Sequence, residues 1–303
     1  MGSLYLICKQ LSPSDTWVYT IMIVYSLSFI VSIEDCEPVM LTILLLLAIL
    51  GYVASAVVVL QNILQNRLLN PAFQLIPAVI AIVSHAALIF NEFSADNFYH
   101  INIASSLASV AWLIALFALL RGQHAGAMML KPVVYLFAAL SCILLAFAPA
   151  RWGTYLSMDV GLLLHIVLSL VAYGILALAT LYAIQSAYVS KILKQRKNPV
   201  IFSKLPPLMT LERYFFRLLF SGTLLLLLAL ASGFAFLNDM FAQDVAHKTI
   251  LSIAAAAVYV VANVIHRVSG ARGRLMVVLT LVGGILLTLG YFGSRFVKDI
   301  LLS

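Results

Sequence analysis

The chain is 303 residues long, 64% apolar and only 10% charged, with a formal net charge of +7. Soluble domains carry charge on about a quarter of their residues, so a soluble enzyme is excluded and an all-α, polytopic transmembrane helix bundle is expected. The positive balance does not mark a nucleic-acid binder, because no polar surface exists to carry a basic patch; the cations read as topology signals.

Cysteine usage narrows the chemistry further. Cys8, Cys36 and Cys142 are widely separated, and neither CxxC nor CxxCH occurs. That argues against a thiol-redox motif, a zinc knuckle and covalent c-type haem attachment.

The first 39 residues form a separate question. Thr16 to Ile33 is an apolar run of about 18 residues, short for a span and close in length to a signal-peptide core. Lys9 precedes it, Glu34-Asp35-Cys36-Glu37-Pro38 follows it, and no A-x-A cleavage site is present. Three readings are open: an extra helix, an uncleaved signal-like segment, or translated upstream sequence with the start at Met40. The transmembrane domain proper is expected over 40–303.

From Met40 onward eight spans are predicted, at about 41–62, 73–92, 103–120, 132–149, 160–190, 213–238, 248–267 and 275–296, with a ninth if Thr16–Ile33 also crosses. Alternating sides from the first connection, thirteen cations fall on one face of the membrane. Only Arg151, Lys248, Arg295 and Lys298 fall on the other. The richer side is then cytoplasmic and the C-terminus outside.

Gly161 to Lys197 is the longest apolar stretch. At 100° per residue, His165, Ser169, Ala172, Tyr173, Thr180 and Ala183 share one face, predicted to meet protein or a cavity. Val167, Leu170, Leu178 and Leu181 lie opposite and are predicted to meet lipid. After it, 191–212 reads as a cytoplasmic connector along the membrane surface, broken by Pro206-Pro207, with Thr210 predicted to cap the next helix. No hydrophilic domain is present to house a soluble active site.

Ionisable side chains inside a bilayer are costly, so each one is a candidate site. His165 lies about 8 Å below the outer end of its span at ~1.5 Å per residue. His85 falls near mid-membrane, with Glu92 two turns above it. His266 closes the seventh span, whose Lys248, Ser252, Ala255, Tyr259, Ala262 and Asn263 form one polar-and-small stripe. The ordinary reading of a lone membrane histidine is a packing residue bonded to a neighbouring helix, and it suits His100, His124 and His247. Ser105 and Ser109, flanked by Asn102 and Trp112, read as close helix packing.

Imidazoles among tyrosines, with no mid-span carboxylate, suit haem iron better than a hard cation or a proton path. Arg151 and Lys248, beside histidine-bearing spans on the outer face, are candidates for the haem propionates. No Walker A, HExxH or GxSxG pattern supports nucleotide binding or hydrolysis, so a non-enzyme is expected. His165 and His266 lie about 20–30 Å apart at ~1.5 Å per residue and cannot share one iron. His85 is the easier partner for His165, and two separate sites, inner and outer, also satisfy the spacing.

Five segments carry a resemblance, in this order: NIASSLASVAWL, LLLHIVLSLVAYGILALATLYAIQ, LPPLMTLERYFFRLLFSG, HKTILSIAAAAVYVVANVIHR and LTLGYFGSRFV. Over about 41–303 they resemble the YpjD-type branch of the bacterial cytochrome c assembly (CcsA/CcmC-like) family. The resemblance implies a bacterial inner-membrane protein with a periplasmic C-terminus, which binds or passes non-covalent haem. It also implies His165 as an outer axial ligand, His266 as a membrane-embedded ligand, and Lys248 as the lysine introducing the latter's helix. Two family features are missing. Trp152 is the only tryptophan in an outer loop, and Ser294 and Arg295 stand where a second outer histidine is expected. The rival expectation is therefore a cofactor-free accessory or regulatory subunit of another inner-membrane protein, such as a transporter; partners in either case include membrane lipid and no nucleic acid.

Overall fold

The structure is a computed structural model that describes residues 16–65, 72–95, 100–122, 124–149, 152, 154–155, 159–195, 206–236, 246–293 and 296. The helices among the described residues are α1 (Thr16–Gln65), α2 (Ala72–Ala95), α3 (Ile103–Leu120), α4 (Ala125–Ala146), α5 (Val160–Gln195), α6 (Leu208–Phe236), α7 (Ala246–Ser269) and α8 (Arg274–Thr288). The last winds on as a π-turn over Leu289–Gly293. Contacts divide the chain into units of 1–44 and 45–303, and everything described below belongs to the second. The expected run Thr16–Ile33 lies where no side chains are described.

Among the described residues eight helices are long and apolar enough to cross a membrane, from Val39–Leu64 to Arg274–Gly293. The fold is all-α, as the composition requires in a solvent that cannot satisfy open backbone groups. Two starts move by five residues or more. The fourth and sixth spans begin at Gly126 and Leu208 rather than about 132 and 213, because the helix carries through Pro132 and starts directly after Pro207. The Pro207 carbonyl accepts from the amides of Thr210 and Leu211, so Thr210 sits inside the first turn and is not the cap.

α3 is the most interior span, with 61% of its apolar window buried against 28% for α5. It packs on α2, α4 and α5; α5 in turn packs on α6 and α8, and α7 on α6 and α8. Placed between neighbours, α5 turns the large apolar side chains of Val160, Leu163, Leu164 and Val167 outward near its start and those of Ile184 and Tyr188 further along. Leu178, expected to face lipid, is instead 2% exposed. Small residues let the helices close. A Cβ on Gly222 would fall 2.8 Å from Leu176 Cγ, and one on Gly283 2.8 Å from Tyr259 Cζ.

The entry to α3 is fixed by a capping box. Asn102 Oδ1 accepts from the Ser105 amide at 2.7 Å, and Ser105 Oγ accepts from the Asn102 amide at 3.2 Å. Ser109 donates back to the Ser105 carbonyl at 2.7 Å. Both hydroxyls are thus spent within α3 rather than across a helix interface. Just before the cap, His100 and Ile101 pair antiparallel with Tyr155 and Thr154, linking the α2–α3 and α4–α5 connections. Asn102→Ala is expected to destabilise the protein by about 0.5–2 kcal/mol, read as a lower unfolding midpoint in detergent; Asn102→Asp, which keeps the acceptor, should retain most of the stability.

Candidate functional site: three histidines in three surroundings

His165 is set by the start of α5. Asp159 Oδ1 accepts from the Gly161 and Leu162 amides, which caps the helix and fixes the register of the imidazole one turn on. Gly161 leaves room for Phe236, whose ring a Cβ there would meet at 2.7 Å, so the start of α5 closes on the end of α6. The His165 Nδ1 lies 2.9 Å from the Ala229 carbonyl oxygen and 3.2 Å from Ser232 Oγ. Ser232 donates to that same carbonyl at 2.8 Å. A carbonyl can only accept, so Nδ1 carries the proton and Nε2 of the neutral ring keeps its lone pair. A histidine that gives one ring N–H to a backbone carbonyl is oriented as metal-binding histidines usually are.

The half-buried imidazole lines a cleft of ≈ 190 Å³ with Ser169 and Tyr173 of α5, Lys248 and Ser252 of α7, and Tyr291 of the π-turn. The structure therefore places His165 and Lys248 in the lining of one cleft. Tyr173 and Leu287 also line a second, more apolar cleft of ≈ 480 Å³ between α3, α4, α5 and α8. Ligand sites typically occupy ~300–1,000 Å³. The smaller cleft falls below that range and the larger one within it; Tyr173 and Leu287 line both. Donor type, a cation at the rim and apolar walls all suit a flat, dianionic macrocycle.

His266 lies elsewhere. Its Nδ1 is 2.9 Å from the Ala271 carbonyl oxygen, and its ring stacks on Phe216 with centroids 3.4 Å apart. It lines a cavity of ≈ 390 Å³ with arginines of α6, α7 and the α7–α8 turn. His165 and His266 line different cavities. Arg151, the other predicted propionate contact, lies outside the described residues.

His85 is fully buried and shares no described cavity with either. Its Nδ1 meets the Tyr52 hydroxyl at 3.1 Å, and its Nε2 has no hydrogen-bond partner among the described residues. Tyr52 stacks in turn on Tyr135 of α4. His85 and His165 are not brought together, because α2 packs on α3 rather than on α5. Glu92 above it accepts from the Asn102 side chain at 3.2 Å, which ties it to the α3 cap. Among the described residues no cluster of three or more His, Cys, Asp or Glu side chains could hold a metal ion. Sequence reasoning missed Tyr52, although a tyrosine inside an apolar span signals a buried partner.

Tyr52→Phe is expected to destabilise by about 1–3 kcal/mol, because it leaves a buried imidazole with no partner. Adding His85→Leu should restore most of the loss, since removing both polar groups is nearly neutral. Thermal unfolding of the two variants beside the parent checks this. If Tyr52→Phe costs nothing, the bond is not structural.

The comparisons with known proteins agree with this fold. The sequence model for the Cytochrome C assembly protein family matches residues 76–302. The inner membrane protein YpjD of Escherichia coli K12 is 34% identical over 261 residues, covering 84% of this chain and 98% of its own length. Its counterpart in Escherichia coli O157:H7 gives the same figures. A 28.8 kDa protein of Azospirillum brasilense is 34% identical over 143 residues, 46% of this chain and 52% of that one. No solved structure matches. With eight apolar helices and a match running through seven of them, the chain is a membrane protein of the cytochrome c assembly family.

Proposed function

We propose that this chain is a non-enzymatic haem-binding protein of the bacterial inner membrane, with His165 as the axial ligand and its C-terminus in the periplasm. The observation that carries the reading is the bond from Nδ1 to the Ala229 carbonyl, which leaves Nε2 as the donor atom in a cleft shared with Lys248. Haem would supply an iron that accepts an imidazole nitrogen and two carboxylates that need cations. His165 would hold the iron, Lys248 would face a propionate, and the apolar walls at Leu226 and Leu230 would exclude water. The inward orientation of the cation-rich ends supports a periplasmic mouth for this cleft. His85 and His266 stand apart from it and are controls.

The test is the absorption spectrum of the detergent-purified protein after expression with ample haem. A Soret band at about one haem per chain is expected, lost with His165→Ala and kept with His85→Leu. A preparation without Soret absorbance would leave the accessory-subunit reading in its place.

A further inference from the structure

At the opposite end of α7 from Lys248, four cations converge on the ≈ 390 Å³ cavity: Arg213 and Arg217 of α6, Arg267 of α7 and Arg272 of the following turn. Glu212 is the single carboxylate lining it. Positive charge at this end of the bundle is expected from topology alone, but topology is served equally by lysine and arginine. The connector side shows this: 191–204 carries four lysines and one arginine. The cavity has four arginines and no lysine. Arginine rather than lysine is what planar, two-toothed recognition of a phosphate requires.

The arginines are also held ready. Arg272 lies in a turn bracketed by Gly270 and Gly273, whose φ values of 63° and 75° only glycine adopts easily. His266 pins that turn through its bond to the Ala271 carbonyl, while stacking on Phe216. The Arg267 guanidinium lies over the Phe220 ring at 4.3 Å. Arg272 reaches Glu212 only at 3.9 Å, with 58% of its side chain exposed. Arg213 and Arg217 are exposed and have no hydrogen-bond or ion-pair partner among the described residues. Four guanidinium groups against one weakly engaged carboxylate leave a strong demand for an anion.

The apolar rim selects among anions. Met209 and Phe220 line the same cavity, and both are exposed, 66% and 44%, on the apolar span Leu208–Phe236. A charged group with an acyl chain satisfies both features, and a free ion only one. We propose that this cavity binds the phosphate-ester headgroup of an anionic phospholipid, seated between α6, α7 and the α7–α8 turn. His266 is then a positioning residue that fixes the turn carrying Arg272.

The experiment titrates the full-length protein in detergent with phosphatidylglycerol, with phosphatidylcholine of the same chains, and with inorganic phosphate, following bound lipid by native mass spectrometry. Phosphatidylglycerol is expected to bind at least about tenfold more tightly than phosphatidylcholine. Arg217→Gln with Arg272→Gln should weaken it by about tenfold or more, and the same pair changed to Lys should not restore it. Lys191→Gln with Lys194→Gln, which removes equal charge from the same side, should leave binding unchanged. His266→Ala should weaken binding, and His165→Ala should not, which separates this site from the haem reading. Equal losses in the arginine and lysine pairs would reduce the effect to general surface charge and overturn the proposal. Equal binding of inorganic phosphate would overturn the lipid assignment.

Discussion

His165→Ala is expected to lower haem affinity by about 100-fold or more, with the protein still eluting as a folded species. The size of the effect has a lower bound: changing a group that merely orients a metal-bound histidine costs about 10–100-fold in affinity, and the ligand itself should cost no less. Folding should survive because the imidazole is half-buried and its partner carbonyl keeps the Ser232 hydroxyl at 2.8 Å. Ser232→Ala, which leaves the Ala229 carbonyl in place, should weaken haem by about tenfold at most. His266→Ala and His85→Leu remove imidazoles from other surroundings and should leave the affinity within about twofold, as expected for sites that share no group. Titration of haem into the purified variants, followed at the Soret band, separates the four.

The second large effect is on stability. Gly51→Val should destabilise the protein by about 1–3 kcal/mol through overpacking at the α1–α2 seam. A Cβ on Gly51 would fall 2.7 Å from the Pro77 carbonyl oxygen and 2.9 Å from Ala81 Cβ. Those are backbone and stub atoms that cannot swing aside, unlike the Tyr259 ring facing Gly283. The seam is built from Ala48, Ala78 and Ala81, all fully buried, so separation would open it along its length. It would also stretch the Tyr52–His85 bond one residue on. Gly270 gives the contrast. Nothing lies within 4 Å of a Cβ there, and Gly270→Ala should cost only the left-handed backbone, about 1 kcal/mol. Unfolding midpoints in detergent and the monodisperse fraction measure both.

Much of this architecture is legible before any coordinates, for a simple reason. Spans announce themselves because lipid demands about 20 apolar residues in a row, and eight such runs from Met40 onward are hard to misread. The α7 stripe was legible too: Ala255, Tyr259 and Ala262 are buried, and Lys248 and Ser252 meet the His165 cleft. Leu178 was not, because a leucine against lipid and a leucine against protein have the same composition and differ only in which helix passes nearby. Caps were hard to place for a related reason. Asn102, Ser105 and Asp159 act only once a helix start is fixed, and Thr210 looked like a cap until Pro207 supplied the start. Pairs that join distant spans left no local trace. Tyr52 and His85 are 33 residues apart, and the arginines meeting at α6, α7 and the turn span about sixty positions.

Chemical rescue of His165→Ala reaches the central claim most directly. The cleft left by the missing ring should accept free imidazole, and adding it together with haem should restore the Soret band that this variant lacks. His85→Leu and His266→Ala should show the Soret band without any added imidazole. A His165→Ala protein whose spectrum matches the parent before any imidazole is added would contradict the assignment of this side chain to the iron.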